Sequence, residues 1–257
     1  MNDKQMTARR VLSLLDLTSL RQTDNEESIV GLCRNASTFS GQVAAVCVLP
    51  QFVQTAKNAL AQADCAGVKV ATVSNFPAGG VNLVEATEST AQAVADGANE
   101  VDLVFPWRSL MAGDAMVGDE LIRASRRACG DKVRLKVIIE SGMLAAPAFI
   151  RQASEICLDA GVDFIKTSTG TESVNATPDA VRLIAQVIKE SGLNRGIKVS
   201  GGISSVADAE RYLVLAENVL GDGWATPNNF RLGASSLLQA LQSVISGEHG
   251  EDQTGDY

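Results

Sequence analysis

The segment VDFIKTSTGTESVNATPDAVRLIAQVIKESGLNRGIKVSGG, residues 162–202, decides how the chain folds. It opens on one apolar run, Val162–Thr167, and closes on a second, Gly196–Val199, both short enough to be strands. Between them Thr177 stands as a helix N-cap with Pro178 at the first helical position. Val181, Ile184, Ala185 and Ile188 then share one helical face, and Gly192 supplies the stop. The unit is strand, helix, strand.

Working outward, the same unit recurs. Further Val- and Ile-rich runs lie at Leu12–Leu17, Val43–Leu49, Val68–Ser74, Glu100–Phe105, Val133–Ile139 and Phe230–Gly233. Successive runs start about thirty residues apart, the length of one strand-plus-helix unit. Several read apolar throughout rather than alternating, as parallel strands covered on both faces do. A helix is predicted from Gln51 to about Ala63, burying Phe52, Ala56, Ala59 and Leu60. Ser205 with Asp208 forms a capping box ahead of Ala209, Leu213, Ala216 and Leu220 on one face. Eight such units without a linker predict an α/β chain folded as a single-domain (β/α)8 TIM barrel over residues 1–246, with a polar tail at 247–257. A doubly wound open sheet is the alternative, but the chain holds neither GxGxxG nor GxxxxGK[ST] to mark a nucleotide crevice.

The charge balance narrows the partners. Lys plus Arg total 22 against 30 Asp plus Glu, a net charge of −8 over 257 residues. With no basic patch, the balance disfavours nucleic acid and anionic membranes, and neither is expected as a partner. The single histidine, His249, lies in the tail, which excludes Ser-His-Asp chemistry and a histidine-built metal site. Five scattered cysteines without a CxxC spacing fit neither a zinc ribbon nor a disulfide framework. The N-terminus lacks an apolar signal core, and Val43–Leu49 is too short to span a bilayer. A cytoplasmic protein is expected.

In a barrel of this kind the chemistry gathers where strands end and the following loops begin. Asp16, Asn75, Asp102, Glu140, Lys166 and Lys198 stand at such ends. Lysine is rare inside apolar strands because desolvating an ammonium is costly, yet Lys166 and Lys198 occupy consecutive strands, each just ahead of a glycine-containing loop. Neighbouring parallel strands lie about 4.8 Å apart, which puts the two amines roughly 6 Å apart. At an effective dielectric near 20 the two ammoniums repel by roughly 2.8 kcal/mol, or about two pKa units. One amine is then largely neutral, and a neutral amine attacks carbonyls to form a Schiff base. Lys136 lies mid-strand and reads as structural.

Asp102, a carboxylate within an apolar strand, reads either as the partner balancing a buried lysine or as the group that moves protons around a carbinolamine. Asp16 reads as counter-ion to Lys198. Gly201-Gly202 follows Lys198, and Gly233-Ala234-Ser235-Ser236 opens the last helix. Loops there bind phosphate through backbone N–H groups and a helix N-terminus, or are simply tight turns with ordinary caps. Other readings of Lys166 remain: an internal aldimine with pyridoxal phosphate, or a non-catalytic phosphosugar-binding barrel.

These residues resemble a known family, the class I 2-deoxyribose-5-phosphate aldolases, over nearly the whole chain. The similarity runs through Leu15-Asp16-Leu17-Thr18, Glu100-Val101-Asp102-Leu103-Val104-Phe105-Pro106, Leu135-Lys136-Val137-Ile138-Ile139-Glu140 and Asp163 to Gly170. It continues in Val174-Asn175-Ala176-Thr177-Pro178, in Lys198 with Gly201-Gly202, in Gly233-Ala234-Ser235-Ser236 and in the terminal Tyr257. The resemblance implies reversible cleavage of 2-deoxy-D-ribose 5-phosphate to acetaldehyde and D-glyceraldehyde 3-phosphate, in deoxyribonucleoside catabolism, with no metal or cofactor. It implies Lys166 as the Schiff-base lysine, Lys198 as the group lowering its pKa, and Asp102 as a proton relay. It also implies Tyr257 as a visiting proton donor, and Thr18, Thr169, Gly170, Gly201, Gly202, Gly233, Ser235 and Ser236 as the substrate and phosphate rim. By family analogy a homodimer is expected. The chain departs at Thr171 and Ser204, where many members carry cations, and at Val199, where a proline is usual. Loss of two cations predicts weaker preference for phosphorylated over plain substrates.

Overall fold

The computed structural model describes residues 2–65 and 67–247. Eight parallel strands, β1 (Leu15–Ser19), β2 (Ala45–Val48), β3 (Lys69–Ser74), β4 (Glu100–Val104), β5 (Arg134–Ile138), β6 (Phe164–Lys166), β7 (Gly196–Ser200) and β8 (Phe230–Ala234), follow one another around a closed barrel. β8 returns to β1 in the register Leu15 with Leu232 and Asp16 with Gly233. The longer helices are α1 (Asp3–Ser13), α2 (Glu26–Arg34), α3 (Val53–Gln62), α4 (Leu83–Ala95), α5 (Met116–Cys129), α6 (Pro147–Asp159), α7 (Pro178–Ser191), α8 (Val206–Leu220) and α9 (Leu237–Ser246). Each of α2 to α9 follows one barrel strand, so the fold is the single-domain (β/α)8 barrel predicted. Among the described residues no helix is long and apolar enough to cross a membrane.

The local signals act as expected. The Thr177 hydroxyl accepts from the Ala180 amide at 3.2 Å, and Gly192 ends α7 in the left-handed region at φ 68°. Ser205 and Asp208 cap α8 reciprocally at 3.1 Å each way. One element differs: the run Leu12–Leu17 predicts the first strand, but Leu12 lies in the last turn of α1 and the strand occupies Leu15–Ser19. Asn2 caps α1 with a full capping box, and the helix buries Ala8, Val11 and Leu12 against α8 and α9. Its apolar end runs straight into an apolar strand, so hydropathy alone marks no boundary between them.

Alternation along the strands sorts the side chains. Val101, Leu103, Leu135, Val137, Ile165, Ile197 and Leu232 join the core beneath the helices. The intervening positions face the barrel interior, which divides into two parts. β2 and β3 contribute a small apolar cluster, Ala45, Cys47, Ala71 and Val73. β1 and β4 to β8 contribute buried charges: Asp16, Glu100, Asp102, Lys136, Lys166, Lys198 and Arg231. Such ions are seldom buried unless paired, so their pairing organises this side of the barrel.

Candidate active site

Register brings the two sequence-predicted lysines together. Lys166 and Lys198 are Cα partners on β6 and β7. Both amines bond the same oxygen, Asp102 Oδ2, at 2.9 Å and 2.8 Å, and so stand at or inside the separation expected from strand spacing. Asp102 Oδ1 takes the Lys136 amine at 2.7 Å. Asp16 Oδ2 faces Lys198 Nζ at 2.6 Å, the counter-ion role read from sequence.

Two members of this cluster escaped the sequence reading. Glu100 Oε2 lies 2.7 Å from Lys136 Nζ, and the Arg231 guanidinium bridges Asp16 Oδ1 at 2.6 Å and Glu100 Oε1 at 2.8 Å. The signal that singled out Lys166, a charge within an apolar run, was present at both positions. It is weak there, because Glu100 begins its run and the run around Arg231 is short. Lys136 keeps its structural reading in that it does not line the cavity, yet it is a direct partner of Asp102 rather than a bystander.

The pairing sets the protonation. Three carboxylates, Asp16, Glu100 and Asp102, face four cations, Lys136, Lys166, Lys198 and Arg231. Burial alone would push the carboxyls up, but Lys136, Lys166 and Lys198 hold Asp102 well below the ordinary range, and Lys198 and Arg231 lower Asp16. Burial opposes charge on Lys198 too, and is overcome by Asp102 and Asp16, which raise it well above a free lysine. On Lys136 the same penalty is outweighed by Asp102 and Glu100. Lys166 alone shifts downward, through burial reinforced by the Lys198 cation and against the pull of Asp102. It is the surplus cation. Losing its proton leaves the directly paired cluster neutral.

Lys166 is also the member of the cluster that lines a cavity of about 580 Å³ at the loop end of the barrel. The sequence-predicted rim is there: Thr18 from β1, Thr169 and Gly170 after β6, Gly201 and Gly202 after β7, and Gly233, Ser235 and Ser236 at the end of β8. Asp102, Asp16 and Lys198 lie below it, fully buried. The backbone needs glycine at two of these points. A Cβ on Gly233 would meet Ser200 Oγ at 2.5 Å and Lys198 Cε at 3.0 Å. One on Gly201, already at φ 89°, would strike the Asn175 side chain. Ser236 occupies the cap position of α9 without a side-chain cap bond, so its hydroxyl is not used up by helix capping. The buried Ser200 hydroxyl, also on the cavity wall, has no hydrogen-bond partner among the described residues.

Glu140 holds the loop after Lys166. Its backbone sits in the left-handed region at φ 53°, and both its carboxylate oxygens accept from the Thr169 amide at 3.2 Å. Burial raises its pKa, partly offset by those bonds. Thr169 and Thr171 hydroxyls pair at 2.8 Å, so the position where a cation was absent is tied into the loop. Among the described residues no group of three or more His, Cys, Asp or Glu could hold a metal ion. Tyr257 and His249 lie outside the described residues.

Chemically, this is a desolvated amine of lowered pKa opening onto a cavity with a glycine- and serine-rich rim. The profile described as DeoC/LacD family aldolase matches residues 10–243. A protein from Toxoplasma gondii ME49, assigned by inference as a deoxyribose-phosphate aldolase, superposes with a TM-score of 0.86 at 27% identity, over 96% of this chain and 97% of that one. An aldolase called QR15 gives a TM-score of 0.77 at 28% identity, over 92% and 96%. The tetrameric deoxyribose phosphate aldolase from Aeropyrum pernix gives 0.72 at 25%, over 95% and 97%.

Proposed function

The chain belongs to the DeoC/LacD family of aldolases, and from that premise we propose that it reversibly cleaves 2-deoxy-D-ribose 5-phosphate to acetaldehyde and D-glyceraldehyde 3-phosphate through a Schiff base on Lys166. The observation that carries this reading is that Lys166, the one amine of the buried cluster that lines the cavity, is also the one whose pKa falls. Its lone pair adds to the aldehyde carbon of the open-chain sugar, and the carbinolamine loses water to give an iminium. The C2–C3 bond then breaks, its electron pair passing into an enamine as the C3 hydroxyl loses its proton and glyceraldehyde 3-phosphate departs. Protonation of the enamine carbon and hydrolysis release acetaldehyde and return the amine.

Asp102 suits the relay role. Its Oδ2 accepts from the Lys166 amine at 2.9 Å, beside the nitrogen on which the carbinolamine forms, and its depressed pKa makes it pass on a proton rather than store it, while Lys198 stays an ammonium on the same oxygen. In this reading Asp16 anchors Lys198, Tyr257 supplies the proton to the enamine carbon, and the glycine and serine rim takes the phosphate. The enzyme is metal- and cofactor-independent, a homodimer, and a cytoplasmic step of deoxyribonucleoside catabolism.

Borohydride reduction in the presence of acetaldehyde, followed by peptide mass mapping, tests the assignment. An ethyl adduct on Lys166 is expected, with no adduct and no turnover in Lys166→Met. Labelling confined to Lys136 or Lys198 would overturn it.

A further inference from the structure

We propose that Arg21, at the β1–α2 loop, is the cation that receives the phosphate of the substrate. The inference rests on the sugar-phosphate reading above and deepens it. Among the described residues lining the cavity, Lys166 and Arg21 are the only cations, and no carboxylate lines it. Lys166 is the nucleophile and must begin neutral, so it has no charge to spare for a phosphate dianion. That leaves Arg21.

Topology puts it in reach of the rim. Because β8 pairs with β1, the loop carrying Arg21 is the next neighbour of the Gly233–Ser236 loop around the barrel mouth. Thr171 and Ser204 stand on the opposite flank, after β6 and β7, and are uncharged. The weakened phosphate preference expected from those two positions therefore overlooks a cation supplied from the other side.

The loop is built to hold this arginine. The Asp24 side chain, only 1% exposed, accepts from Ser19 Oγ at 2.6 Å and from the Arg21 amide at 2.9 Å. Its second oxygen takes both Arg21 Nε at 3.3 Å and Arg21 Nη2 at 3.2 Å. The backbone at residue 21 is thus pinned while 72% of its side chain stays open at the cavity mouth. A guanidinium offers five N–H donors, and with Nε and one side of Nη2 turned to Asp24 the end-on pair, Nη1 and the outer hydrogen of Nη2, forms a planar fork suited to two phosphate oxygens. The unpartnered Ser200 hydroxyl on the same wall supplies a further donor.

Calorimetric titration of the full chain with inorganic phosphate tests the site directly. Arg21→Ala is expected to weaken phosphate binding about 10–100-fold, the factor a charge-assisted hydrogen bond supplies, with partial recovery in Arg21→Lys. In kinetics, the ratio of kcat/KM for deoxyribose 5-phosphate to that for deoxyribose should fall by the same factor, mainly through KM. Unaltered phosphate affinity in Arg21→Ala, or a parallel fall for both sugars that leaves their ratio constant, would overturn the proposal. A wild-type protein that binds phosphate through Arg21 yet leaves deoxyribose 5-phosphate intact would instead remove the substrate assignment.

Discussion

At the scale of residues, the surplus of one cation governs what each lysine can do. With Lys198 in place, Lys136, Lys198 and Arg231 already balance Asp16, Glu100 and Asp102, and Lys166 is free to be neutral. Lys198→Met would remove that freedom, because Lys166 would become a required counter-ion. The variant should shift the acidic limb of the kcat/KM profile to higher pH and lower kcat/KM at pH 7 by about 100-fold, two units of displaced pKa. A pH–rate profile on wild type and variant reads both; an unmoved limb would show that Lys198 does not set the protonation of Lys166. The lysines and aspartates were legible in sequence because a charge inside an apolar run is conspicuous. Glu100 is equally charged but begins its run, and Arg231 sits in a run of only four residues, places where a charge is usually solvated. Only the register, which points both side chains into the barrel, shows that they are not. Arg21 was illegible for another reason: a loop arginine looks like any solvated cation until the strand order places it beside the rim.

At the scale of elements, the prediction concerns β8. Gly233 lets β8 pass over Lys198 and Ser200, and a methyl group there would meet both. Gly233→Ala should cost about 1–3 kcal/mol in thermal or denaturant unfolding, the usual range for overpacking. It should also reduce the rate of borohydride trapping, because the displaced Lys198 no longer sits opposite Lys166. The strands were found from sequence because each is a dense apolar run, and α7 and α8 because Thr177, Ser205 and Gly192 punctuate them. The start of β1 is not marked in the sequence because the last turn of α1 carries Val11 and Leu12, so two apolar elements adjoin with only Leu14 between them.

At the scale of the whole molecule, the buried charges tie stability to pH. Asp16, Glu100 and Asp102 all have pKa values below those of an unfolded chain. Their contribution is therefore fully present above the unfolded carboxylate range of about 4, and is lost as pH falls through the lower folded values. Tm should hold level from neutrality to about pH 4.5 and drop below it. Glu100→Gln, which leaves Arg231 and Lys136 short of a partner, should destabilise the protein by roughly 3–5 kcal/mol at pH 7 and flatten the acid drop. Calorimetric scans across pH check both. The closed barrel itself was legible from the count of units, whereas the sorting of its interior into an apolar and an ionic half depends on which strands neighbour which. That partition has a consequence for the life of the covalent adduct. An iminium on residue 166 restores the positive charge that the lining has no anion left to answer. The adduct is thereby hurried toward the uncharged enamine, and the lumen's electrical parity acts as a clock that limits how long the electrophile survives.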